Sequence, residues 1–126
     1  MLTSLQQNRS ERGIATSIYR PAYIVGDTTH GLCNTDDFLC RLIRGCIQLG
    51  AAPELDGDIA ADMTPVDYVA HAVVALMFKP ASLGRTFNII NPAGPLPFRR
   101  LFEAIAAFGY PVRNTTAPHD TRTTHD

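Results

Sequence analysis

Lysine is almost missing from this 126-residue chain: Lys79 stands alone among eleven basic residues, and the rest are arginine. An excess of charge of either sign is missing too, since 11 basic and 12 acidic residues leave a formal net charge of −1. That balance gives no electrostatic case for nucleic acid or an anionic membrane surface as a partner. No apolar run approaches the ~20 residues that cross a bilayer. The opening MLTSLQQNRSERG lacks the basic-then-apolar order of a secretory signal. A cytoplasmic protein, with no membrane and no nucleic-acid partner, is the expectation. Cysteine is sparse and odd in number, with Cys33, Cys40 and Cys46 in no CxxC spacing. Neither a disulfide framework nor a metal site is expected from that pattern. Cys40 and Cys46 fall in an apolar helical run, where a free thiol behaves as a small hydrophobe.

What is present suffices for a core. The chain is 45% hydrophobic and 18% charged, ordinary for a globular domain, and its length allows one domain at most. Residues 2–12 read as the end of a helix stopped by Gly13, with no cap at its start. IATSIY over 14–19 reads as a strand, ended by Arg20-Pro21 because proline cannot donate to a central ladder. GDTTHGLCN over 26–34 is a loop. Asn34 or Thr35 is placed to cap a helix bearing Phe38, Leu39, Leu42, Ile43, Cys46 and Leu49 on one face, with Gly50 as its stop. Asp36 and Asp37 fall in its first turn; neighbours on a helix diverge, so they suit the dipole better than a paired-carboxylate role.

DMTPV over 62–66 reads as a short extended piece. Asp67 is placed to cap a helix through Val69, Ala70, Val73, Val74 and Leu76. TFNII over 86–90 is a second strand, and NPAGPLP a turn-rich connection. Phe98–Phe108 read as a helix facing Leu101, Phe102, Ile105 and Phe108 inward. From Arg113 onward the chain is nearly devoid of apolar residues, so 113–126 reads as a disordered tail. The alternation argues an α/β fold with a mostly parallel sheet. Two good strands are few for such a sheet, which makes the chain read as part of a larger α/β domain.

In open α/β sheets ligands sit beyond the carboxyl ends of the strands. Tyr19-Arg20-Pro21-Ala22-Tyr23 lies at such an end, where spacing alone is also consistent with a plain turn and a structural arginine. Four stretches in order, IYRPAYIVGD, GLCNTDDFLCRLIRGCIQLGAAPELD, DMTPVDYVAHAVVAL and GRTFNIINPAGPLP, resemble the C-terminal portion of thioester reductase domains. These belong to the extended short-chain dehydrogenase/reductase superfamily, and close nonribosomal peptide and polyketide assembly lines or serve carboxylic acid reductases. The resemblance covers residues 1–112, expected as a partial reductase domain of Rossmann type with a helical substrate-binding lid.

The resemblance implies NADPH as cofactor, with Arg20, Pro21, Ala22, Tyr23 and Ile24 bordering the nicotinamide. It implies a lid over Asn34–Leu49 and a return segment over Asp62–Tyr68, so that His30, Asn34, Phe38, Pro65 and Asn91 approach substrate. His30 equally suits a solvated loop. The substrate implied is an acyl thioester on the phosphopantetheine arm of an acyl or peptidyl carrier protein, reduced by hydride to an aldehyde or alcohol.

The superfamily also needs a glycine-rich turn for the pyrophosphate and a Tyr-x-x-x-Lys pair for proton donation. Neither occurs here: no GxGxxG or GxxGxxG is formed, and position 75, four before Lys79, is Ala. No catalytic residue is therefore expected in this chain. It reads as starting just after where the pair would stand, inactive alone and lacking its nucleotide-binding segment. The alternatives are a fragment of a nucleotide-sugar epimerase or dehydratase-like protein, and a non-catalytic docking partner.

Overall fold

The computed structural model describes residues 13, 15–55 and 59–115. The helix expected over 2–12 lies outside the described residues, as does the chain from 116 onward. The chain forms two compact units, Met1–Cys33 with Asp62–Pro95, and Asn34–Ala61 with Leu96–Asp126.

In the first unit, β1 (Ile18–Pro21) pairs in parallel with β6 (Thr86–Ile89), Tyr19 opposite Phe87. Their rings stack with centroids 5.9 Å apart, the cross-strand aromatic contact that suits a pleated surface. β2 (Tyr23–Val25) pairs in parallel with β5 (Met63–Pro65). α2 (Val66–Met77) leaves β5 directly, and a short 3₁₀ turn over Pro80–Ser82 leads to β6. Among the described residues of this unit, Met63, Thr64, Val69, Ser82 and Ile89 are buried. The Ser17 hydroxyl donates to the Ser82 carbonyl at 2.8 Å, satisfying part of that buried turn.

In the second unit, α1 (Phe38–Leu49) leads through Gly50 into β3 (Ala51–Pro53), which pairs in parallel with β8 (Arg113–Thr115). β4 (Ala60–Ala61) pairs antiparallel with β7 (Leu96–Pro97), and α3 (Phe98–Ala107) follows. Cys46, Ala52, Phe102 and Ile105 form the buried cluster, flanked by Leu42, Ile43, Ile47, Phe98, Leu101 and Val112. Burial pushes the Cys46 thiol upward, which keeps it protonated and hydrophobic, as its place in an apolar run suggests.

Several local expectations are corrected. The cap of α1 is Asp37, with extended backbone and a carboxylate accepting the Cys40 N–H at 2.8 Å. Asn34 instead accepts the Asp36 N–H in its own turn. Asp67 lies one residue inside α2, whose cap position is Pro65. Phe38, Leu49 and Phe108, expected to face inward, are 69%, 79% and 87% exposed. Arg113–Thr115, assigned to the tail, extend the second unit as β8, because Arg113 N–H donates to Gly50 and Glu54 N–H donates to Thr115. β1 runs through Pro21 instead of stopping before it.

Candidate functional site at the strand exit

The strand exit explains how Pro21 is accommodated. Ile18 N–H donates to the Arg85 carbonyl at 3.0 Å and Ala22 N–H to Ile89 at 2.9 Å. Donors of a parallel ladder alternate, so Pro21 occupies a position whose missing N–H would turn away from β6. One residue later Tyr23 N–H donates to Asp62 at 3.0 Å, on the opposite side. The chain thus changes pairing partner at Pro21-Ala22-Tyr23, from β6 to β5. Ile24 and Val25 then run opposite Thr64 and Pro65 to the carboxyl edge. Arg20, Pro21 and Ile24 are exposed there, while Ala22 and Tyr23 are half-buried.

A tight loop closes that edge. A Cβ on Gly26 would lie 2.5 Å from the Gly31 carbonyl oxygen, so only glycine permits the approach. The Asp27 carboxylate accepts N–H bonds from Thr29 at 2.9 Å, His30 at 2.7 Å and Leu32 at 2.9 Å. These bonds, that from His30 foremost, hold its carboxyl below the usual aspartate value. The His30 imidazole is 69% exposed, with Nδ1 3.4 Å from Asp27. Thr28 donates to the Asp67 carboxylate through both its hydroxyl and its N–H, which fastens the loop to the first turn of α2. The hydroxyl bond is the main reason that Asp67 also titrates low.

Behind the edge, the Asp62 carboxylate accepts the Thr64 hydroxyl at 3.0 Å and the Asn91 N–H at 2.9 Å. The Asn91 side-chain amide donates to the Met63 carbonyl at 2.7 Å. Asn91 therefore ties the end of β6 to the start of β5.

Of the residues expected at a site, Arg20, Pro21, Ala22, Tyr23, Ile24, His30, Pro65 and Asn91 fall in the first unit, and Asn34 and Phe38 in the second. Within the first unit, Pro65 pairs with Val25 beside the strand exit, and Asn91 reaches the same strands through Asp62 and Met63. Sequence reasoning missed Asp27, Thr28 and Asp62. Asp-Thr-Thr between two glycines is an Asx-turn signature that could have revealed the first two; Asp62 meets Asn91 only through the fold.

A nicotinamide dinucleotide needs an edge for its ring and a run of free N–H groups for its pyrophosphate. The strand exit offers an exposed edge at Arg20, Pro21 and Ile24. Among the described residues the second is not met. α1 is capped by Asp37, whose carboxylate already takes the Cys40 N–H, α2 carries Asp67 in its first turn, and α3 has Pro97 at its cap position. Carboxylates at two helix N-termini oppose a phosphate. The described residues by themselves do not fit a whole dinucleotide.

Parallel strand pairs whose carboxyl edge opens onto a tight loop, within a mixed α/β frame, are consistent with a Rossmann-like fold. Residues 3–73 match the family of NAD-binding domains described as male sterility protein, and the chain belongs to that family. It is 40% identical over 113 residues to the L-2-aminoadipate reductase large subunit of Eremothecium gossypii, covering 87% of this chain and 8% of the relative. It is 42% identical over 89 residues to the non-canonical nonribosomal peptide synthetase FrzA of a Cladobotryum species, covering 71% of this chain and 9% of that protein. The crystal structure of the terminal R domain from the myxalamid PKS-NRPS biosynthetic pathway superposes with a TM-score of 0.78 at 38% identity, over 88% of this chain and 28% of that one. The chain thus spans under a tenth of the curated relatives and under a third of the reductase domain. Its fold is that of an extended short-chain reductase, and its family uses a nicotinamide cofactor.

Proposed function

We propose that this chain is part of an NADPH-dependent reductase that converts a carrier-bound acyl thioester to an aldehyde or alcohol. The observation that carries the reading is the likeness to the myxalamid R domain, 38% identical with a TM-score of 0.78. Identity at that level favours a reductase over the nucleotide-sugar alternative, and it holds along most of this chain. In this reading Arg20, Pro21, Ala22, Tyr23 and Ile24 wall the nicotinamide ring. Asp62 and Asn91 hold the strands that form the wall, while His30, Asn34, Phe38, Pro65 and Asn91 serve the substrate. The substrate arrives on a phosphopantetheine arm. The hydride comes from the cofactor and the proton donor from residues that this sequence does not contain, so the 126-residue chain tested alone is inactive.

The test is a chimera in which residues 1–115 replace the matching stretch of the myxalamid R domain. NADPH-dependent reduction of a carrier-bound thioester by the chimera, with no NADPH binding by the chain alone, is the expected result. A folded chimera that neither binds NADPH nor reduces the thioester overturns the reading. Micromolar NADPH affinity in a fluorescence titration of the chain alone overturns its claim of an incomplete site.

A further inference from the structure

Helix α1 contains a glycine that no packing among the described residues requires. Gly45 lies well inside Phe38–Leu49, where glycine weakens a helix relative to alanine. Its backbone is not left-handed, and a Cβ built on it meets nothing within 4 Å. Among the described residues neither conformation nor a contact calls for glycine, which suits a close approach at this face.

The surroundings indicate what approaches. Arg41, Gly45 and Leu49 follow at steps of four residues and so form one stripe. Leu49 is 79% exposed, and Arg41 is exposed one turn before Gly45. Beside the stripe runs an open groove of about 470 Å³, lined by Arg41, Leu42, Gly45, Leu49, Ala52 and Pro53 among others. Arg44 is exposed on the same helix, and Arg113 lies opposite Ala51 just beyond its end. Among the described residues no carboxylate pairs with any of these three arginines. The acids on this element, Asp36 and Asp37, stand at its N-terminal end, with Asp37 committed to the cap.

We propose that this stripe of α1 is the docking surface for the carrier domain. An acidic helix of that domain would pair its carboxylates with Arg41 and Arg44 while small side chains pass over Gly45. The proposal rests on the reductase reading and adds the surface that receives the partner. Charge complementarity and the bare glycine favour an acidic helix as the occupant. Residues 116–126, TAPHDTRTTHD, carry no large apolar side chain.

The experiment titrates a phosphopantetheinylated peptidyl carrier domain of net negative charge onto the full chain and onto variants. Arg41→Glu/Arg44→Glu is expected to weaken binding by about tenfold or more, and binding should fall as salt rises. Gly45→Gln adds a helix-favouring side chain across the path of the partner. It should melt at or above the temperature of the parent while losing about tenfold in affinity.

The proposal is overturned if the parent chain does not bind, or if Gly45→Gln binds as the parent does. It is overturned equally if Gly45→Gln lowers the melting temperature, which makes the glycine structural. A chain cut after Thr115 that binds far more tightly would assign the groove to residues 116–126. A parent dimer dissolved by Gly45→Gln would assign it to a second copy. Carrier binding that depends on Gly45, beside a chimera that reduces nothing, would sink the reductase reading and leave the docking surface standing. An active chimera whose carrier binding ignores these variants would do the reverse.

Discussion

At the scale of single residues, the strand exit is held by carboxylates that work only when charged. Asp27 and Asp67 both titrate below the ordinary aspartate value in the folded chain, through hydrogen bonds that their ionised forms accept. A carboxyl whose folded pKa is depressed stabilises the fold above its unfolded pKa, and that contribution fades as pH falls through the folded value. Stability should therefore be flat near neutrality and decline below about pH 4, where an unfolded aspartate takes up its proton. Chemical denaturation from pH 7 to pH 2 checks this. Asp27→Asn should be less stable than the parent at pH 7, with the gap narrowing towards pH 2; a constant gap would contradict the assignment. Gly26 makes a different demand. An added Cβ would meet backbone at 2.5 Å, which no rotamer relieves. Gly26→Ala should cost roughly 1–3 kcal/mol, the range for forced overpacking, and lower the melting temperature.

At the scale of elements, helix ends and faces separate what the sequence revealed from what it concealed. The αL stop at Gly50 is legible because a glycine after an apolar stripe has one common use. The matching start is not, since Asn34, Thr35, Asp36 and Asp37 can all cap. The choice of Asp37 depends on its extended backbone, with ψ 167°. Asp37→Ala should cost about 1 kcal/mol, as the loss of one cap bond does, read as a shift in the denaturation midpoint. Faces mislead for another reason. Periodicity identifies an apolar stripe but not its edges, so Leu39 and Cys46 are buried as expected while Phe38 and Leu49 are not. The strand exit itself was legible from Arg-Pro after an apolar run. Its bonding to Asp62 was not, because that contact joins residues about forty apart, Tyr23 and Asp62. Local pattern carries no information on such closure.

At the scale of the whole molecule, α2 poses the sharpest question. VDYVAHAVVALM is apolar on nearly every side, the composition of a helix covered all round. Val69 is buried and Val73 and Leu76 half-buried, so one side meets its own unit. Val66, Ala70, Val74 and Met77, at steps of four, four and three, are exposed, and Phe78 at the helix end is 82% exposed. An apolar stripe of this kind left in water marks an association surface. Since the chain spans 28% of the reductase domain that it resembles, the 126-residue chain studied by itself should cover the stripe by self-association. Sedimentation velocity at tens of micromolar is expected to show species larger than a monomer. Val74→Glu with Phe78→Glu should shift the population towards monomer without lowering the melting temperature, because neither side chain belongs to the buried set. A parent chain that sediments as a monomer at all concentrations would mean that the exposed stripe of α2 tolerates water, and that its composition answers to something other than a covering surface.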